Sequence, residues 1–278
     1  MRYCLHSPSN KYINKADEIT ISVASFKDID LKKIIDLFLN YKEKQINIYI
    51  EYSKDFLENY GVQTIQAIKT KYPELNIKFA LPNYNDTEDD YELWEAIKQA
   101  NIPFFFTNIV NNWQVLHGLL EMGASEMYIS ESLAFELDKV AAILHERGVK
   151  VRCFPNIAQA AWKFDNNIKA FYIRPEDISA YEKYVDTIEF YCFNQEEEVL
   201  YKIYALDKTW PGYLHSLIKE LDGLMQGKFT PSNFAEKRIR CGQKCLKGGL
   251  CNLCGRGEEL SIVLDKANQD LQTPIDNL

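Results

Sequence analysis

Residues 126–156 read EMYISESLAFELDKVAAILHERGVKVRCFPN. Glu126–Leu133 opens with β-rich, largely apolar residues, the signature of a strand. Phe135, Val140, Ile143 and Leu144 then recur at helical spacing, and Gly148 suits the end of that helix. Val149–Asn156 is again β-rich. A strand, a helix and a second strand of this length predict parallel pairing through a right-handed crossover.

The same pattern extends in both directions. Strands are predicted at Glu18–Ser25, Ile46–Ser53, Asn76–Pro82 and Ile102–Val110 on the amino-terminal side. Ile168–Arg174 and Asp186–Cys192 follow on the other. Several of these runs are apolar on both faces, as parallel strands covered by helices are. Helical patterns lie around Leu31–Leu39, Asp90–Ala100, Trp113–Met122 and Asp177–Tyr184, and after Gln195; Ile157–Phe164 is a further helical segment. Eight such units predict an α/β fold, a closed (β/α)8 TIM-like barrel over about Glu18–Lys208. An open doubly wound sheet is the alternative, but no GxGxxG or Walker sequence supports it.

After Lys208 the composition changes. The expected division is a barrel domain over 1–208 and a C-terminal extension over 209–278. The extension begins with an amphipathic helix carrying Leu214, Leu217, Ile218, Leu221, Leu224 and Met225. It ends in a short apolar stretch and a polar tail.

The whole chain of 278 residues is 46% hydrophobic and 26% charged, a globular balance. Its net charge of −8 argues against an overall basic nucleic-acid binder. No secretory signal and no transmembrane run is present, so a cytoplasmic location is expected. Cys4, Cys153 and Cys192 lie within or beside apolar segments and read as buried free thiols.

The other four cysteines form one cluster, CGQKCLKGGLCNLC from Cys241. Cys241, Cys245, Cys251 and Cys254 have a C-x3-C-x5-C-x2-C spacing, with Gly242, Gly248, Gly249 and Gly255 permitting tight turns. Four thiolates suit a tetrahedral Zn2+ ion or an iron–sulfur cluster such as [4Fe-4S], and the spacing leaves both open. Around them Lys237, Arg238, Arg240, Lys244, Lys247 and Arg256 occur without an acidic residue. This basic segment, 237–256, complements a negatively charged metal–thiolate centre, or contacts phosphate or RNA.

In such a barrel, chemistry sits at the carboxyl ends of the strands. Those ends supply Glu51, Glu131, Arg174 and Glu189 as candidate catalytic residues and Asn83, Asn108, Asn156 and Tyr191 as candidate ligand contacts. Ser25, Asp28, Ser53, Thr107 and Ser130 add to the polar rim. Arg174 suits a bidentate hold on carboxylate or phosphate. Paired carboxylates such as Glu51 and Glu189 suit acid–base chemistry. His6, His117, His145 and His215 fall on the N-terminal arm or in helices, so no histidine-based centre is expected.

The stretches MYISESLAFELDKVAAILHERGVKVRCFPNIAQA and FYIRPEDISAYEKYVDTIEFY, followed by a cysteine-rich end, resemble the collagenase-like peptidase family of uncertain catalytic type, peptidase U-thirty-two. The resemblance covers about Met127–Tyr191. It implies a barrel-like α/β fold and, as in several members, a cysteine-bound iron–sulfur cluster. Those members support oxygen-independent hydroxylation of RNA bases or quinone precursors. Family cysteines are dispersed, whereas these four are one knuckle, so no ligand or catalytic assignment carries over. Peptide hydrolysis finds no nucleophile–base pair.

Two functions follow. One is a metal-binding barrel enzyme, or enzyme-derived protein, acting on a small-molecule or nucleotide-like ligand at the strand ends. The other is a scaffold whose basic knuckle binds nucleic acid or a protein partner.

Overall fold

The computed structural model describes residues 1–6, 10–23, 31–82, 88–130, 136–155, 173, 175–190, 197–208 and 239. Eight parallel strands close into a barrel in chain order. They are β1 Arg2–His6, β2 Glu18–Val23, β3 Gln45–Ile50, β4 Asn76–Leu81, β5 Phe104–Val110, β6 Glu126–Ile129, β7 Lys150–Cys153 and β8 Thr187–Glu189. The connecting helices are α1 Leu31–Asn40, α2 Ser53–Glu58, α3 Gly61–Lys71, α4 Glu88–Gln99, α5 Trp113–Glu121, α6 Leu137–Glu146 and α7 Ile178–Tyr181. After β8 come α8 Glu197–Tyr201 and a π-helical turn over Lys202–Asp207.

The barrel predicted from sequence is therefore present, with one strand reassigned. Arg2–His6 is β1, although the sequence places the first strand at Glu18. RYCLH holds only three consecutive apolar residues, Tyr3–Leu5, between Arg2 and His6, too short a run to mark a strand by itself. Its position is fixed by long-range bonds. Asp17 accepts from the Tyr3 amide at 2.9 Å, and the Asp17 amide donates to the Tyr3 carbonyl at 3.1 Å. Lys44 donates to the Asn14 carbonyl at 3.0 Å and to the Ala16 carbonyl. Of the predicted strand Ile168–Arg174, only Ile173 is described, and it stands outside the eight strands. Its amide donates to the Pro155 carbonyl, and the Tyr204 hydroxyl donates to its carbonyl, each at 2.9 Å.

The described residues fall into two compact units, one within Arg2–Ile109 and Trp113–Tyr128, the other comprising Met1, Val110–Asn112 and the described residues from Ile129 on. In the first unit, one face of the sheet carries Leu5, Ile19, Ile46, Ile48, Ile77 and Phe79, all at most 2% exposed. Phe56 of α2 meets Phe79 edge-on with ring centroids 5.9 Å apart, so this face is the helix side. Gly61 lets α3 start against the same aromatic: a Cβ there would lie 2.6 Å from the Phe56 ring.

β5 is apolar on both faces, as read from the sequence, with Phe104 and Phe106 on the helix side and Phe105 opposite them. Across β1 to β4, by contrast, the opposite face is largely polar, which corrects the two-sided reading for those strands. The register Thr20↔Asn47 and Asn47↔Lys78 lines up alternate residues across β2, β3 and β4. Arg2 pairs with Glu18 at 2.5 Å, and Lys78 pairs with Glu126. Asn47 donates to Glu18 at 3.2 Å and to the Cys4 sulfur at 3.6 Å, while Cys4 lies 3.3 Å from the Thr20 hydroxyl. Glu18, Asn47 and Glu126 are fully buried. Two carboxylates and two cations thus balance one another, as buried charges must.

In the second unit, Gly148 adopts φ 72° directly after α6, and the Val149 amide returns to the Leu144 carbonyl at 2.9 Å. The glycine predicted to end that helix does so in the left-handed conformation that favours it. Asp186 accepts from the Val151 amide at 2.8 Å and meets His145 at 2.9 Å, locking α6, β7 and β8 together. Arg152, fully buried, reaches Glu189 at 2.6 Å. Cys4 and Cys153 are buried free thiols, as expected. No helix among the described residues is long and apolar enough to cross a membrane.

Candidate functional site

The polar face of the first unit changes character along its strands. At the amino-terminal level each carboxylate meets a cation. At the carboxyl end stands Glu51, immediately after β3, exposed and with no cationic partner among the described residues. The Ser22 hydroxyl near the end of β2 donates to it. Its amide donates to the Val23 carbonyl at 3.3 Å, extending the β2–β3 ladder by one step and fixing the backbone.

Tyr49 shares this face, two residues before Glu51, because side chains alternate along a strand. Burial first, and the Glu51 charge second, push its phenol above the ordinary tyrosine range. The hydroxyl therefore stays protonated, a donor beside an acceptor. The folded chain holds this proton more tightly than the unfolded one. The associated stability is fully present below the unfolded tyrosine pKa of about 10 and is lost as pH rises through the higher folded value. Replacing Glu51 by Gln is expected to bring the phenol only part of the way back, because burial is the larger cause. Difference absorbance of Tyr49→Phe against the parent, with and without Glu51→Gln, isolates this tyrosine among 17. Identical titrations with and without the Glu51 charge would disprove the coupling.

His6 lies at the carboxyl end of β1, in register with Thr20. The sequence places it on an N-terminal arm; the structure corrects this to a strand end. Two residues from Cys4, it falls on the polar face. Ser22, Tyr49 and His6 are the site residues missed from sequence. Only the strand register reveals them.

The remaining sequence candidates divide by position. Asn108, half-buried in β5, stands beside Thr107, whose hydroxyl donates to the Leu81 carbonyl at 3.0 Å. Glu189 is 4% exposed, with its carboxylate engaged by Arg152. Ser53 donates to Asp90 at 2.9 Å, which ties α2 to α4. Glu131, Arg174, Asn83, Asn156 and Tyr191 lie outside the described residues, as do Ser25, Asp28 and the Ile157–Phe164 segment. So do Cys192, Cys241, Cys245, Cys251 and Cys254, the Leu214–Met225 helix and the C-terminal tail. Among the described residues no group of three or more His, Cys, Asp or Glu side chains is arranged to hold a metal.

Closed parallel strands with connecting helices define a (β/α)8 barrel. No protein-family model matches the chain, and no curated protein matches it. Among solved structures it is similar to 3-hexulose-6-phosphate synthase from Salmonella typhimurium, at 13% sequence identity and a TM-score of 0.39. That match covers 68% of this chain and 88% of the synthase.

Proposed function

We propose that this chain is a barrel enzyme, or a protein derived from one, that binds a small-molecule or nucleotide-like ligand at the carboxyl ends of β2 and β3. The observation that carries this reading is the contrast between its carboxylates. Glu18 and Glu126 are buried against Arg2 and Lys78, whereas Glu51 is exposed and oriented only by a neutral hydroxyl. A carboxylate held in place but not neutralised is free to engage a ligand. It also stands where barrels of this class carry chemistry. Glu51 is the acid–base candidate there, with Tyr49 as a neighbouring proton donor. Glu131, Glu189 and Arg174 remain candidates for catalysis, and Asn83, Asn108, Asn156 and Tyr191 for ligand binding.

The four C-terminal cysteines belong to the same proposal as a metal site in a cytoplasmic protein. An iron–sulfur cluster would supply electron transfer, in line with the resemblance to the U-thirty-two peptidases; zinc would fold the extension. The basic composition of 237–256 favours a second reading, in which that segment binds nucleic acid or a protein partner and the barrel is a scaffold.

Soaking crystals with a mixed fragment library is expected to give ligand density against Glu51 and Tyr49. Density confined to other surfaces would overturn the ligand site. Anaerobic purification with metal analysis addresses the cysteines. Iron with acid-labile sulfide is the result expected for a modification enzyme, and one zinc per chain would remove the redox role. Cys251→Ser is expected to abolish metal retention.

A further inference from the structure

We propose that Ser22, Tyr49 and Glu51 recognise a vicinal diol on an uncharged sugar or nucleoside. This rests on the ligand site proposed above and names the chemistry of its ligand.

Tyr49 and Glu51 are two residues apart on one strand face, which places their Cα atoms about 6.6 Å apart. The Tyr49 hydroxyl has no hydrogen-bond partner among the described residues, and the Glu51 carboxylate has none there beyond Ser22. A carboxylate offers about four lone-pair directions, and Ser22 occupies one on Oε1. The others are open on an exposed side chain that Ser22 helps to orient. Adjacent hydroxyls present two donors at the separation a carboxylate accepts, the geometry by which an acidic residue holds ribose in dinucleotide folds.

The pairing of donor with acceptor narrows the ligand further. Tyr49, kept protonated by burial and by the Glu51 charge, needs an acceptor. Glu51 needs a donor. A hydroxyl is both. An ammonium group has no lone pair to offer Tyr49, and a phosphate dianion has no proton to offer Glu51. Charge points the same way. Among the described side chains on the polar face at the carboxyl ends of β1, β2, β3 and β5 are His6, Ser22, Glu51 and Thr107. The only fixed charge in that set is negative, which repels an anion. Tyr52, following Glu51 in the chain, is 60% exposed and adds an aromatic side chain at the same strand end.

Calorimetric titration of the full chain with D-ribose, adenosine, 2′-deoxyadenosine, ribose 5-phosphate and spermidine tests this. Ribose or adenosine is expected to bind, the comparison telling whether a free sugar or a nucleoside is preferred. Loss of the 2′-hydroxyl is expected to weaken adenosine at least tenfold. Glu51→Gln and Tyr49→Phe are each expected to weaken the diol ligand by a similar factor, with melting temperatures near the parent's. Equal binding of adenosine and its 2′-deoxy form would overturn the diol. So would tighter binding of ribose 5-phosphate or spermidine, but sensitivity of that binding to Glu51→Gln would leave the ligand site standing. Absence of binding by all five overturns the diol, and the fragment soak then judges the site independently.

Discussion

Arg152→Met is expected to destabilise the chain by about 3–5 kcal/mol, the range for breaking a buried ion pair from one side. Arg152 is fully buried and Glu189 only 4% exposed, with 2.6 Å between Nη2 and Oε2. The register Arg152↔Thr187 sets Glu189 two residues further along β8, within reach of the guanidinium. Removing the cation leaves a carboxylate that water cannot solvate, and the methionine packs without answering its charge. Adding Glu189→Gln is expected to recover part of the loss, because a neutral amide is cheaper to bury. Urea denaturation of the parent, both single variants and the double variant measures this coupling. Equal midpoints for Arg152→Met and the parent would show that the pair contributes no stability. The same cycle bears on Glu189 as a catalytic candidate. A purely structural role predicts that folding and activity fall together.

The second large effect is expected at Lys78→Met in the first unit, again a loss of about 3–5 kcal/mol. Lys78 meets Glu126, which is fully buried, and Arg2 approaches the same carboxylate oxygen at 3.8 Å. Without Lys78 the network Arg2, Glu18, Lys78 and Glu126 goes from balanced to one net negative charge. Lys78→Met combined with Glu126→Leu restores neutrality and is expected to be far more stable than Lys78→Met alone. Replacing a whole buried pair by apolar groups is often neutral or stabilising. If the double variant is as unstable as the sum of its singles, charge balance is not what holds this face together.

Much of the fold was legible because the helix-side face is regular. Ile46, Ile48 and Ile50 in β3 and Ile77, Phe79 and Leu81 in β4 are buried, and their apolar recurrence marks strands without reference to any partner. The helix ending at Gly148 was legible for the same local reason. The candidate site was less so. Glu51 was readable as a polar residue after an apolar run, but its Ser22 partner lies 29 residues earlier in the chain. Glu189 reads the same way in sequence as Glu51, and only burial beside Arg152 separates the two.

By itself the sequence determined the alternation of strands and helices, the parallel class of sheet, the buried thiols of Cys4 and Cys153 and the cysteine-rich, basic C-terminal segment. These follow from composition and from periods of two and 3.6, which are properties of neighbouring residues. Tertiary structure alone decided that Arg2–His6 is the strand that completes the eight, that the strands carry charge on one face, and which carboxylates are neutralised. The physical reason is that a short amphipathic strand and a buried charge are stable only through partners supplied by distant strands. Arg2 needs Glu18, Lys78 needs Glu126 and Arg152 needs Glu189, and chain order shows none of these pairs.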